Sequence, residues 1–197
     1  MRMKAMKLKI MSAIFACCAL HSYGQQFGIK TNLLYDATLS PSIGAELTLA
    51  PKWSMEITGS LNGWTLDGNK KWKHWFVQPE TRYWLCEALH GHFFGIHALG
   101  GQYNFGGWSF DAKILGIDFN TLRNTRRQGW LIGGGVNYGY AWMLGKHWNI
   151  EAEIGVGYLY TKYDEYKCAG CGKKVSSGNR KNYVGPTEAA INMVYLF

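Results

Sequence analysis

The stretch QGWLIGGGVNYGYAWMLGKHWNIEAEIGVGYLYTKY, from Gln128 to Tyr163, decides the fold. In its first half Trp130, Ile132, Val136, Tyr138, Tyr140 and Trp142 share one parity. Gly133, Gly135, Asn137, Gly139 and Ala141 hold the other, with Leu131 as the one large apolar exception. The second half repeats the rule, setting Trp148, Ile150, Ala152, Ile154, Val156, Tyr158 and Tyr160 against Asn149, Glu151, Glu153, Gly155 and Gly157. Successive side chains of a strand point to opposite faces, so a period of two signals strands. Only Leu144-Gly145-Lys146-His147 separates the halves, which makes an antiparallel hairpin with a tight turn. Each arm is longer than the usual soluble strand of about five or six residues.

The same alternation runs through the rest of the chain. Strand one is expected over about Phe27–Asp36, strand two over Ser42–Ala50 and strand three over Trp53–Asn62, with Pro51-Lys52 as a tight turn. Strand four, His74–Leu85, carries Pro79, which removes a ladder donor and predicts a bulge or a position without a donor partner. Strand five, His92–Phe105, places Phe94, Ile96 and Ala98 opposite Gly95 and His97. The loop Gly106–Arg127 follows, and its segment Asp111–Phe119 has the mixed character of a small local fold. After the opening hairpin, Asp164–Asn182 reads as a loop rich in Lys and Gly. Strand eight closes the chain with Ala189, Ile191, Met193, Tyr195 and Phe197 on one face.

Gly is abundant at 25 residues, aromatics reach 15% and Pro is only 4, a mixture that suits closely packed strands. Charged residues make up 17%, below the roughly 25% of a typical soluble domain. Of the 21 basic residues, Arg2, Lys4, Lys7 and Lys9 precede the apolar run Ile10–Leu20, and Ser22-Tyr23-Gly24 ends it with small residues. Residues 1–24 therefore read as a secretory signal peptide, with lipid attachment at Cys17 and a short membrane anchor as rivals. The run is shorter than the roughly 20 apolar residues of a spanning helix. Without the leader the basic excess is small and scattered in loops, so no basic stripe argues for nucleic acid.

Eight strands joined by alternating short and long connections are the pattern of an all-β, eight-stranded antiparallel up-and-down transmembrane β-barrel, here over residues 25–197. Trp53, Trp142 and Trp148 fall beside short turns, and Tyr35, Tyr158 and Tyr160 near the opposite ends, as two interfacial aromatic belts. Tyr195 and the terminal Phe197 are similar to the signal read by outer-membrane assembly machinery. The rival is a secreted lipocalin-type barrel, apolar inside and polar outside, which alternation alone does not exclude. With the apolar face on lipid, the interior polar network comprises Lys30, Glu46, Glu56, Gln78, Glu80, Arg82, His97, Asn137, Glu151, Glu153, Glu188 and Asn192. An eight-stranded barrel is just wide enough for its side chains to fill, so these residues should form a plug of ion pairs. Six carboxylates against two fixed cations call for protons, trapped water or a bound cation.

No catalytic spacing is visible. A lipid-modifying enzyme needs nucleophile, base and orienting group together, and His74, His92, His97 and the serines are scattered. A narrow channel is the third reading. Cys168 and Cys171 make half a zinc site at best, and in an exported protein a disulfide loop or two thiols suit them better. No cofactor, catalytic residue or metal ligand is expected.

Three segments carry a resemblance: Lys30-Thr31-Asn32-Leu33-Leu34-Tyr35-Asp36, Lys73 through Trp84 (KHWFVQPETRYW), and Gly91-His92-Phe93-Phe94-Gly95 with Gly101-Gln102-Tyr103-Asn104. They resemble the exported proteins of domain of unknown function 3575 from Gram-negative gut and oral anaerobes. The resemblance implies an outer-membrane barrel, often encoded near fimbrial or other surface-assembly genes, and brings no catalytic residues. The expectation is a non-enzymatic barrel of the cell outer membrane. Its expected partners are outer-membrane lipid, barrel-assembly machinery and fimbrial or other surface proteins.

Overall fold

The computed structural model describes residues 26–66, 70–107, 113–114, 117–118, 122, 125–167 and 172–197. The expected leader, residues 67–69 and the Cys168 and Cys171 pair lie outside the described residues. Eight strands form the fold: β1 (Phe27–Asn32), β2 (Ser42–Ala50), β3 (Trp53–Asn62), β4 (Lys70–Trp84), β5 (Gly91–Gly106), β6 (Thr125–Met143), β7 (Trp148–Lys167) and β8 (Lys173–Leu196). Each pairs antiparallel with the next, and β8 returns to β1 from Gly28↔Leu196 to Asn32↔Asn192. The chain is thus an all-β ring of eight antiparallel strands, and closure removes the edge that an open sheet would expose. The turns after β2, β4 and β6 lie at one end with both ends of the ring, and the long connections lie at the other. Thr65–Leu66 adds a short rung against Lys70 and Lys71, and Lys113–Ile114 pairs with Ile117–Asp118 in the longest loop.

β2 and β3 keep the boundaries that alternation gives them. β1 does not, stopping at Asn32 rather than near Asp36. Asn32 Oδ1 accepts from the Leu34 N–H at 3.0 Å, capping a single helical turn, α1 (Leu33–Ala37). The Asp36 carboxylate then accepts from the Thr31 hydroxyl at 2.6 Å and the Ser42 N–H at 3.2 Å. Short polar side chains that bond nearby backbone compete with a ladder, and here they win. Tyr35, expected in an outer belt, is carried inward and faces His74 at 6.4 Å between ring centres.

The expected loop Asp164–Asn182 is mostly hairpin, because β7 runs on to Lys167 and β8 begins at Lys173. Asp164 pins it, accepting from Lys174 Nζ at 2.6 Å, Ser177 Oγ at 2.9 Å and the Gly178 N–H at 2.9 Å. Gly178 itself has φ of 70°, a conformation open to glycine. At Pro79 the pairing with β5 lapses between Val77↔Gly100 and Glu80↔His97 and resumes in the same register, so no bulge forms. A bulge lies elsewhere, on β8, where the register with β7 slips between Gly155↔Glu188 and Val156↔Pro186.

The two faces are opposite in character. Ile43, Met55, Ile57, Trp75, Ile96, Ile132, Val136, Ile154 and Val156 stand exposed around the outer wall, while Lys30, Arg82 and the glutamates are buried inside. This inverts the polarity of a lipocalin-type barrel. The interior has three layers. Trp84, Ala88, Leu89, Phe93, Ala141, Val194 and Leu196 plug the short-turn end. Phe76, Leu99, Tyr103, Phe105, Leu122, Leu131 and Leu159 fill the long-loop end. The charges lie between these plugs.

β6 passes so close to β7 that a Cβ at Gly135 would lie 2.2 Å from the Val156 carbonyl oxygen. Backbone cannot yield as a side chain can, so Gly135→Val is expected to stop the ring from closing. Loss of the folded barrel's compact gel mobility in unboiled samples would show it, and retained mobility would contradict the packing.

Candidate functional site

Each strand of the ring contributes to the central charged layer. Alternation turns Lys30 inward from β1, Glu46 from β2, Glu56 from β3, Gln78, Glu80 and Arg82 from β4, His97 from β5, Asn137 from β6, Glu151 and Glu153 from β7, and Glu188 and Asn192 from β8. Lys30 Nζ donates to Glu46 at 2.5 Å, Glu56 at 2.8 Å and Glu151 at 2.8 Å, which uses all three donors of an ammonium. Arg82 spreads its planar fork over four strands. Nε meets Glu80 at 2.6 Å, Nη1 meets Glu46 and Glu151 at 3.0 Å, and Nη2 meets Glu56 and Glu153 at 2.7 Å. The Phe93 ring closes the underside, 4.4 Å from the Arg82 guanidinium carbon.

Neutral donors complete the set. Ser54 and Thr58 hydroxyls donate at 2.5 Å to Glu46 and Glu56, and Asn192 donates to Glu153 at 3.0 Å. Trp84 Nε1 donates to Ser54 at 2.8 Å, joining the lower plug to the charges. Gln78 donates to Glu188. On the far side His97 Nε2 lies 3.0 Å from the Thr187 hydroxyl and Nδ1 lies 3.0 Å from Glu188 Oε2. Ser54 and Thr58 share the parity of Glu56, so alternation contains them, although they were not singled out. Thr187 is different, because only the β8 bulge brings it inward beside Glu188.

The histidines weighed as catalytic groups occupy separate places. His74 is buried at the long-loop end, stacked on Phe76 at 4.7 Å. His92 stands on the outer wall, with Nδ1 2.6 Å from the Tyr138 hydroxyl. His97 lies in the charged layer. A groove of about 410 Å³ opens at the long-loop rim between Asn62, His74, Trp75, Gln102, Tyr103 and Trp130.

Tyr195 and Phe197 lie at the short-turn end. Phe197 donates its N–H to the Phe27 carbonyl at 2.9 Å, and Tyr195 meets Trp148 at 5.0 Å between ring centres. Trp53 and Tyr83 pair at 5.0 Å in the same zone. Trp130 and Tyr160 pair at 5.6 Å towards the long-loop end. Above them the hairpin projects Tyr166, against which Arg126 stacks at 4.2 Å. Cys86, in the link after β4, is a free, exposed thiol.

A family profile described as "Protein of unknown function (DUF3575)" matches residues 10–197. No significant match was found among curated proteins or among solved structures.

Removing one partner of a buried ion pair strands the other charges and costs on the order of 3–5 kcal/mol. Arg82→Met should therefore lose about that much in urea unfolding, whereas Glu153→Gln, which removes one of the surplus negative charges, should cost far less. Equal losses would contradict the charge balance. On the exposed hairpin, the bonds from Lys174, Gly178 and Ser177 hold the Asp164 carboxyl down at about 2. That depressed value means the hairpin tip is fully held above pH about 4 and is released as the pH falls towards 2. Amide exchange at Ser177 and Gly178 across that window measures it.

Proposed function

The chain belongs to the family of proteins of unknown function DUF3575, and from that premise we propose a non-enzymatic barrel of the outer membrane that serves envelope structure or surface interaction. One observation carries the reading: an outer wall with exposed apolar side chains on every strand of the ring, around a charged interior. Soluble monomers rarely expose contiguous apolar patches beyond a few hundred Å². On β6 the outward Trp130 and Trp142 stand twelve residues apart. At about 3.3 Å per residue and a tilt of about 45°, that separation is roughly 28 Å of height, close to the apolar band of such barrels. The rings of Trp53, Tyr83, Trp142, Trp148 and Tyr195 suit one interface, and those of Trp75, Trp130, Tyr158 and Tyr160 suit the other. An apolar groove of about 530 Å³ on the outer wall, between Tyr83, Phe94, Ile96, Val136, Tyr138 and Ile154, matches an acyl chain.

The packed interior favours a scaffold over a pore, since apolar side chains fill both ends and the charges between them are cross-linked. The surface role falls to the long-loop end. There Lys162, Lys167, Lys173, Lys174, Arg180 and Lys181 line the β7–β8 hairpin against Asp164 and Glu165, with Tyr163 and Tyr166 among them. A basic, aromatic hairpin fits an acidic protein surface, and a fimbrial or other surface-assembly protein is the partner this reading favours. Tyr195 and Phe197 serve as the assembly signal at the opposite end.

In the expressing cell the protein should fractionate with outer membranes and migrate differently boiled and unboiled in detergent. Recovery in the soluble fraction with unchanged mobility would remove the membrane reading. In planar bilayers no steady conductance is expected. Crosslinking on intact cells should recover a surface protein, and shortening the hairpin at Asp164–Gly178 should abolish that recovery while leaving the gel shift intact.

A further inference from the structure

The charged layer contains two clusters in which three ligand-type side chains converge, and they differ in what stands among them. Glu46, Glu56 and Glu151 surround the Lys30 ammonium. Glu80, His97 and Glu188 also bring ligand atoms within 4.8 Å of one another, but no described cationic side chain stands between them. Arg82 reaches Glu80 through the other carboxylate oxygen, Oε1. Glu80 Oε2 is buried with no hydrogen-bond partner among the described residues, and the buried His97 Nδ1 and Glu188 Oε2 have only each other, 3.0 Å apart. The His97 side chain is 0% exposed and that of Glu188 7%.

The geometry around the imidazole is specific. Thr187 and Glu188 both face inward because the β8 bulge suspends alternation there, so consecutive residues address the two ring nitrogens of His97. With the ring proton on Nε2 and directed at Thr187, the Nδ1 lone pair faces carboxylate oxygen; with it on Nδ1, the ring donates to Glu188 and Nε2 accepts from the Thr187 hydroxyl. In the first tautomer two lone pairs 3.0 Å apart repel unless a positive centre lies between them, which a bound cation supplies. That distance is the edge between neighbouring ligands of an octahedral ion bonded at about 2.1 Å, a tetrahedral ion needing about 3.4 Å. A histidine whose second nitrogen is fixed by a hydrogen bond is the usual setting of a metal ligand. Gly155 makes the room, since a Cβ there would lie 3.1 Å from His97 Cε1 and 3.0 Å from Glu188 Cβ.

We propose that Glu80, His97 and Glu188 form a buried site for a divalent first-row transition cation of the zinc class, which one imidazole and two carboxylates suit. Asn137 Oδ1, likewise without a partner and crowded with Glu80 over Gly95, supplies a further oxygen. Six buried glutamates against Lys30 and Arg82 leave four negative charges in excess, and a dication halves that excess. The ion joins β4 and β5 to β8 across the lumen, so it acts as a staple.

The test uses the full chain, expressed in membranes with Zn²⁺ in the medium, extracted in mild detergent and washed with chelator. Plasma mass spectrometry should find about one zinc per folded chain, and His97→Gln should retain less than about a tenth of it, while His92→Gln on the outer wall keeps all of it. Wild-type protein refolded with Zn²⁺ should unfold at higher urea than protein refolded with chelator. If His97→Gln fails to fold, that refolding pair decides, together with the visible absorption of Co²⁺ added in place of Zn²⁺. Folded wild-type protein without metal and with identical unfolding under both conditions would overturn the proposal. So would full metal content in folded His97→Gln.

Discussion

The structure depends on one guanidinium. Arg82 sits at the centre of a ring too narrow for water-filled space, and its carboxylate partners come from β2, β3, β4 and β7. A charge in that position is tolerable only when fully paired. The requirement therefore propagates outward. Glutamates must face in at one level on several strands, which fixes their register, and the register in turn turns every intervening apolar residue outward. A one-residue slip of β2, β3 or β7 would place a glutamate on the apolar wall and an apolar residue in the charged layer. Ionic pairing inside and apolar character outside are thus two readings of one alternation.

Much of this was legible from parity alone. β2 and β3 kept their expected limits, and the inward position of the twelve polar residues follows from the same count. Even Leu131, the apolar exception on β6, has its place, because it joins Leu159 and Phe76 in the upper plug. The lower plug was legible too, since Trp84 shares the parity of Arg82 and Phe93 that of His97. What alternation could not carry were the places where a side chain overrides the ladder. Asn32 and Asp36 turn β1 into α1, because their oxygens offer closer partners than the next strand does. Asp164 does the opposite, drawing a Lys- and Gly-rich segment into strand pairing through three local bonds. The β8 bulge was hidden for another reason: nothing in the spacing of Pro186, Thr187 and Glu188 announces that two neighbours will face the same way.

The site follows the same division. The Lys30 and Arg82 cluster is a product of regular alternation, assembled by strands that obey the rule. The His97 cluster is a product of its violation, since Thr187 and Glu188 reach one imidazole only across an irregular step. Bulges tend to mark positions where a sheet re-aims a side chain at some cost in pairing. The first cluster explains why the ring stands, and the second is where the ring has given up regularity for geometry.

The seam between β1 and β8 is short, confined to Gly28–Asn32 against Asn192–Leu196, whereas β7 and β8 pair from Trp148 to Lys167. It is also the seam that joins the two ends of the described chain. Closing it joins the residues farthest apart along the described sequence, the pairing with the largest loop-closure cost. Lys30 lies within that short seam and reaches across the lumen to Glu46, Glu56 and Glu151. Glu46 and Glu56 stand on the adjoining β2 and β3, and only Glu151, on β7, lies beyond the seam. Closure thus brings the Glu151 carboxylate to the Lys30 ammonium, and an ion pair latches the ring across its closing seam.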